Sequence, residues 1–266
     1  MADDTSTTST TRGRYVWHEL MTPNPDAAKD FYGKVVGWTT TKFDGSAIDY
    51  SMFVANERPV GGVMELTKEA ADMGAAPNWL SYIEVPDVDD TFAKAQELGA
   101  SVVVPANTVK DVGRFGILRD PQGVVFAVIK SETPPTDETD PQPREFSWHE
   151  LVTTNADDAL DFYKKLFGWE VKGNFDMGEA GLYQMFGRDR FTYGGVMNKA
   201  GDTPAQPYWL HYVAVADSAD AAAERAKEAG ATLLSGPMEV PGGDRIAVLT
   251  DPQGAVFAVH SKPAAK

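Results

Sequence analysis

The tetrapeptide Trp-His-Glu-Leu occurs twice in this chain, as Trp17-His18-Glu19-Leu20 and as Trp148-His149-Glu150-Leu151. Its imidazole and carboxylate could ligate a metal or move a proton, and its indole could hold a flat ligand. Each copy alternates large apolar with polar residues, as a half-buried strand does. Successive strand residues point to opposite faces, so His18 and Glu19 cannot serve one site. Trp17 and Glu19 are expected on the concave side, with His18 and Leu20 turned toward the helices. On that parity His18 and His149 are hydrogen-bonded structural residues. A carboxylate beside an indole in a pocket is desolvated, which makes Glu19 and Glu150 the candidate catalytic groups. The competing expectation pairs them with Arg114 and Arg245, themselves partners in the repeat.

Tyr82 and Tyr212 share the parity of Trp17 and Trp148. Large flat rings with a few polar groups, Arg114 and Arg245 among them, suit a planar or hydrophobic small molecule. The alternative is that these rings only fill the inside of the cup or the seam between the domains. Phe31, Phe162, Phe126 and Phe257 belong between helix and sheet. His260 is either a rim contact or a surface histidine.

The elements that position these residues come from a duplication. Asp30-Phe31-Tyr32 returns as Asp161-Phe162-Tyr163, and Gly61-Gly62-Val63-Met64 as Gly194-Gly195-Val196-Met197. Tyr50-x-Met52-Phe53 returns as Tyr183-x-Met185-Phe186, and Asp120-Pro121-Gln122-Gly123 as Asp251-Pro252-Gln253-Gly254. The offset from Trp17 to Trp148 equals that from Asp120 to Asp251, a register that chance does not hold. Within each copy a strand leads to a capped helix, with Asn24 as N-cap, Pro25 at the first position and Gly37 as the stop. Three short strands follow, and a second strand–helix unit begins near Trp79, its helix capped by Asp87. In the second copy Asn155 and Asp217 are the expected caps. The chain is thus α+β, four βαβββ modules in two tandem domains, 14–130 and 145–262. Residues 1–13 read as a disordered tail. Residues 131–144, acidic and rich in proline, read as a semi-rigid linker.

Composition narrows the function. With 42% hydrophobic and 24% charged residues the chain is a soluble globular type. No apolar run approaches the ~18 residues of a membrane span. A formal charge of −15 opposes binding to phosphate backbones. The absence of cysteine removes disulfides, thiolate metal sites and a thiol nucleophile. Without a targeting segment the expected location is cytoplasmic. The partner implied is a small molecule, with no nucleic acid and no membrane.

The ordered set Ala28-x-x-Phe31-Tyr32 before Gly37-Trp38, the strand Val63-Met64-Glu65-Leu66-Thr67, and Asp120-Pro121-Gln122-Gly123 before the last strand resembles the vicinal oxygen chelate superfamily. That superfamily includes glyoxalase I, bleomycin-resistance proteins and extradiol dioxygenases. The chain is most similar to its two-domain, glyoxalase-like bacterial members. The resemblance implies curved mixed sheets around clefts, and in metal-binding members four ligands on the strands. Carried onto this chain, those positions are Trp17, Glu65, Leu80 and Ala127, then Trp148, Asn198, Leu210 and Ala258. Glu65 is the only ordinary ligand type among them, so no metal or other cofactor is expected. The leading expectation is a binding protein for an aromatic or amphipathic metabolite, without the four-ligand site. The alternative is a metal-dependent lyase, isomerase or oxygenase, with Glu65 and Glu19 holding a divalent ion or Glu19 acting as a general base. A fused duplication also predicts a monomer, paired within itself.

Overall fold

The computed structural model describes residues 12–45, 48–72, 74–134, 139–178, 181–199 and 206–263. The first copy supplies β1 (Tyr15–Thr22), α1 (Pro25–Val35), β2 (Thr39–Lys42), β3 (Tyr50–Ala55), β4 (Arg58–Glu65) and α2 (Lys68–Asp72). It continues with β5 (Asn78–Glu84), α3 (Val88–Glu97), β6 (Ser101–Val109), β7 (Gly113–Arg119) and β8 (Val125–Ser131). The second copy supplies β9 (Phe146–Thr153), α4 (Ala156–Phe167), β10 (Glu170–Asp176), β11 (Leu182–Arg188) and β12 (Phe191–Asn198). It ends with β13 (Tyr208–Ala214), α5 (Ala219–Glu228), β14 (Thr232–Glu239), β15 (Arg245–Thr250) and β16 (Val256–Ser261).

These strands form two open, mixed, eight-stranded sheets, ordered β2-β3-β4-β1-β5-β8-β7-β6 and β10-β11-β12-β9-β13-β16-β15-β14. The α+β class and the tandem duplication are both present. Parallel pairing arises where a helix must return the chain, as between β1 and β4 or between β5 and β8.

Local chemistry sets the helix boundaries. The Asn24 side chain accepts from Ala27 N, Pro25 follows, and Gly37 closes the helix with φ +83°. Asn155 caps α4 in the same way. For α5 the cap is Ser218, which accepts from Ala221 N, and not Asp217. Asp217 is instead taken up by Arg225 at 2.5 Å. The short helix α2 lacks an apolar stripe, so periodicity does not reveal it. Of the expected tail, residues 1–11 lie outside the described residues, whereas Arg12 and Gly13 are docked. Arg12 donates to Leu166 O, and Gly13 O accepts from Trp169 Nε1 at 2.8 Å.

The chain packs as two compact units that draw on both copies. One draws on the chain up to Val16, Tyr82–Glu138 and Thr153–Tyr208; the other on Trp17–Ser81, Thr139–Val152 and the chain from Trp209. The core of the second unit is set by two amphipathic helices. Phe31, Tyr32 and Val35 of α1 and the alanines 219, 222, 223 and 226 of α5 are buried with Leu20, Phe53, Trp79, Leu249 and Phe257. Alanine on one whole face of α5 lets that helix lie close to its neighbours. In the first unit, Phe126, Phe162, Tyr163 and Phe167 make the corresponding aromatic core.

Candidate functional site

In the second unit β1 runs parallel to β4 with Glu19 opposite Gly62 and Met21 opposite Met64. Strand β3 runs antiparallel to β4 with Tyr50 opposite Met64 and Met52 opposite Gly62. Paired residues share a face, so one side of this sheet segment carries Trp17, Glu19, Met21, Tyr50, Met52 and Met64. All are half-buried except Glu19, which is buried. The Trp17 Nε1–H donates to Tyr50 Oη at 2.9 Å, and Tyr50 Oη–H donates to Glu19 Oε2 at 3.0 Å. Burial, and then the Glu19 charge, hold the Tyr50 phenol far above its ordinary range, so it stays a protonated donor.

Gly62 is what lets the tyrosine lie there. A Cβ on Gly62 would overlap the Tyr50 hydroxyl and ring, and a Cβ on Gly195 would likewise overlap Tyr183. The repeated Gly-Gly motif therefore leaves a strand surface on which a neighbouring tyrosine can rest. Tyr50 was not singled out as a site residue from sequence, although its match to Tyr183 and that of Gly62 to Gly195 carried the signal.

Other expected residues fall elsewhere. Arg114 forms a two-pronged pair with Asp89 at 2.7 and 2.9 Å, and Arg245 pairs with Asp220 at 2.6 and 2.8 Å. The expected pairing of Glu19 and Glu150 with these arginines is thus replaced by aspartates on the first turns of α3 and α5. Glu150 and Trp148 are half-buried on β9. Tyr82 is buried with its ring edge-on to Phe115 at 5.8 Å. His260 is half-buried and not a free surface group: Ser147 Oγ lies 3.0 Å from its Nδ1 and Asp244 Oδ2 lies 2.8 Å from its Nε2.

The positions that would hold the family's metal do not suit one. Trp148, Leu210 and Ala258 come together, with Tyr212, in an apolar cluster closed by Ile246, Val248 and Val256. Asn198 Oδ1 accepts from Ala156 N at 2.8 Å, a capping role at α4. In the first copy Leu80 and Ala127 are buried and offer no donor atom. Glu65 is exposed and sits opposite Thr22, on the other face from Glu19, so the two cannot hold one ion.

Behind β1, on the helix side, a second group appears. His18, His149 and His211 are all buried in the second unit. His18 stacks on Phe146 at 3.7 Å and on His149 at 5.1 Å, and His149 Nδ1 lies 3.2 Å from His211 Nδ1. Burial first, and then the neighbouring imidazoles, hold His18 and His149 well below the ordinary histidine value, and burial lowers His211 to about 3. All three are neutral at pH 7. His211 was not foreseen, because its counterpart in the first copy is Ser81 and the repeat hides it.

The family model described as Glyoxalase/Bleomycin resistance protein/Dioxygenase superfamily matches residues 14–128 and 146–259. A Mycobacterium tuberculosis (strain CDC 1551 / Oshkosh) protein whose name includes the word glyoxylase, CFP32, is 32% identical over 251 residues, covering 93% of this chain and 94% of its own. The anthracycline biosynthesis protein DauV of Streptomyces sp. (strain C5) is 29% identical over 259 residues, covering 93% and 92%. The Mn(II)-bound glyoxalase of Novosphingobium aromaticivorans has the same fold, with TM-score 0.61 at 19% identity over 94% of this chain and 82% of that one.

Proposed function

This chain belongs to the glyoxalase/bleomycin resistance protein/dioxygenase superfamily, and we propose that it binds an aromatic or amphipathic small molecule on the Trp17–Tyr50–Glu19 face, without the superfamily's four-ligand metal site. The observation that carries this is the buried Glu19 carboxylate, held by Tyr50 at the centre of half-buried indole, phenol and thioether groups. Flat rings and methionines cover a planar ligand, and methionine adapts to its outline. A carboxylate at low dielectric selects a ligand bearing a donor or a positive charge, because its desolvation is offset only by a partner. The name of DauV connects a relative with anthracycline biosynthesis. The expected location is cytoplasmic; no described helix is long and apolar enough to cross a membrane.

The test is a thermal-shift screen of planar aromatic compounds, with and without an amino group, against the wild type and Glu19→Gln. A ligand that binds the native state raises Tm by mass action. Amine-bearing compounds should shift the wild type and lose at least tenfold in affinity to Glu19→Gln. If no compound shifts the wild type, or the variant binds equally well, the site is not here.

A catalytic reading of the same face rests on one contact, the 3.0 Å hydrogen bond from Tyr50 to Glu19. A carboxylate so placed can act as a general base toward a bound carbon or oxygen acid. Turnover of an identified ligand, lost in Glu19→Gln while binding of a neutral analogue persists, separates catalysis from binding alone.

A further inference from the structure

The three buried histidines of the second unit lie on β1, β9 and β13, and of these strands only β1 also carries the ligand face, on its opposite side. His18 follows Trp17, His149 follows Trp148 and His211 follows Leu210, so each is one residue beyond a position at which metal-binding relatives place a ligand. One residue along a strand reverses the face. The parity is fixed by packing: Leu210 and Tyr212 join the apolar cluster with Ala258, whereas Val213 joins the helix-side core with Leu20.

We propose that His18, His149 and His211 form a binding site for a divalent transition ion of the zinc class in the core of the second unit. One ligand atom from each of the three lies within 4.8 Å of the others. The Nδ1 atoms of His149 and His211 are 3.2 Å apart. Two nitrogens at tetrahedral angles around zinc, each about 2.0–2.1 Å from it, stand about 3.3 Å apart. An ion therefore fits this spacing once His18 closes in by up to about 1.5 Å.

A second observation points the same way. His211 Nε2 is buried and has no hydrogen-bond partner among the described residues. A buried polar atom left in that state costs free energy, and coordination would remove the cost. A half-turn of the His211 ring replaces its Nδ1 edge with its Nε2 edge, so an ion is held either by Nδ1 at the observed spacing or by Nε2 after this turn, and only the second arrangement removes that cost. The imidazoles are already neutral, the protonation state that metal binding requires, and no proton need be displaced by acid–base competition near pH 7. Imidazole ligands favour zinc, copper, nickel and iron over magnesium and calcium. Three protein ligands leave a coordination position for water, as in zinc sites that are not closed.

The site differs from the ligand face in residues and in side of the sheet, so failure of one proposal does not carry the other. The test uses the full chain without an affinity tag, stripped with chelator, dialysed and titrated with Co2+, Zn2+ and Mg2+. Expected are one Co2+ per chain with the visible bands of a nitrogen-ligated tetrahedral or five-coordinate ion, displacement by Zn2+, and no response to Mg2+. At a free ion concentration a hundredfold above Kd, the folded-to-unfolded ratio should rise about 100-fold, read as a higher Tm. The bands should vanish in His211→Asn and in His149→Gln.

The chain has four histidines, and the fourth, His260, already contacts Asp244. His260→Gln should keep the full spectrum. If the histidine-trio variants do not fold, this one still decides, because its remaining imidazoles are those of the trio. Loss of Co2+ binding in His260→Gln, or less than a tenth of an equivalent bound by the wild type, overturns the proposal.

Discussion

The Tyr32 hydroxyl donates to Asp251 Oδ2 at 3.1 Å across 219 residues of sequence. Tyr163 does the same to Asp120 at 3.0 Å. In each case the Asp-Pro-Gln-Gly turn of one module is tied to the first helix of a module from the other copy. The glutamine of the turn completes the link: Gln253 Oε1 accepts from Asn24 N at 2.6 Å, and Gln122 Oε1 from Asn155 N at 2.6 Å. Tyr32→Phe leaves a buried carboxylate short of one donor, although Gln253 N and Ala255 N still hold Oδ1. We expect a loss of about 1–3 kcal/mol in urea unfolding, with Tyr163→Phe costing a similar amount. Unchanged midpoints in both variants would show that these bonds contribute nothing net.

Gly62→Ala should disturb the ligand face directly. Its methyl would occupy the space of the Tyr50 ring and hydroxyl, and overpacking of this kind costs about 1–3 kcal/mol. Combined with Tyr50→Ala the substitution should cost less than the sum of the two, because the obstruction is gone. Additive costs in this double-mutant cycle would mean that the ring does not lie over Gly62.

Acid should unfold the protein through its histidines. In the folded chain burial keeps His18, His149 and His211 neutral, with His211 lowered to about 3. In the unfolded chain they take up protons below about pH 6.5. Their contribution is therefore fully present above pH 6.5 and is lost as pH falls from there toward 3. The limiting slope is about 1.4 kcal/mol per pH unit for each histidine. Stability measured from pH 7 to pH 4.5 should fall steeply in the wild type and less steeply in His211→Asn. Equal slopes would contradict neutral burial of His211.

The surface arginines offer a contrasting case. Arg114 and Arg245 reach aspartates across partly solvent-exposed side chains, where water and salt screen the ion pair. Arg114→Ala and Arg245→Ala should each leave the urea midpoint close to that of the wild type. A larger loss would assign them a packing or binding role beyond the salt bridge.

One chain holding both copies is expected to be monomeric, so light scattering should return the mass of a single chain at all concentrations. A dimer that persists on dilution would show that the duplication does not complete the assembly.

Much of this molecule is legible in its residues. The duplication, the four modules and most strand and cap positions follow from short-range patterns, because alternation, capping and turn chemistry act over a few residues. Strand parity is of that kind too, and it sets Glu19 beside Trp17 while turning His18 away. What local pattern cannot carry is the partner across space. Nothing near Glu19 in sequence indicates that Tyr50 and not Arg114 meets it, since the choice depends on strand register and on Gly62 leaving room. His211 joins His18 and His149 only because distant strands pack against one core, and Tyr32 finds Asp251 only because modules of different copies share a unit. Sequence by itself determined the elements and the faces they present; tertiary packing alone decided which faces meet, because burial is settled by the whole chain at once.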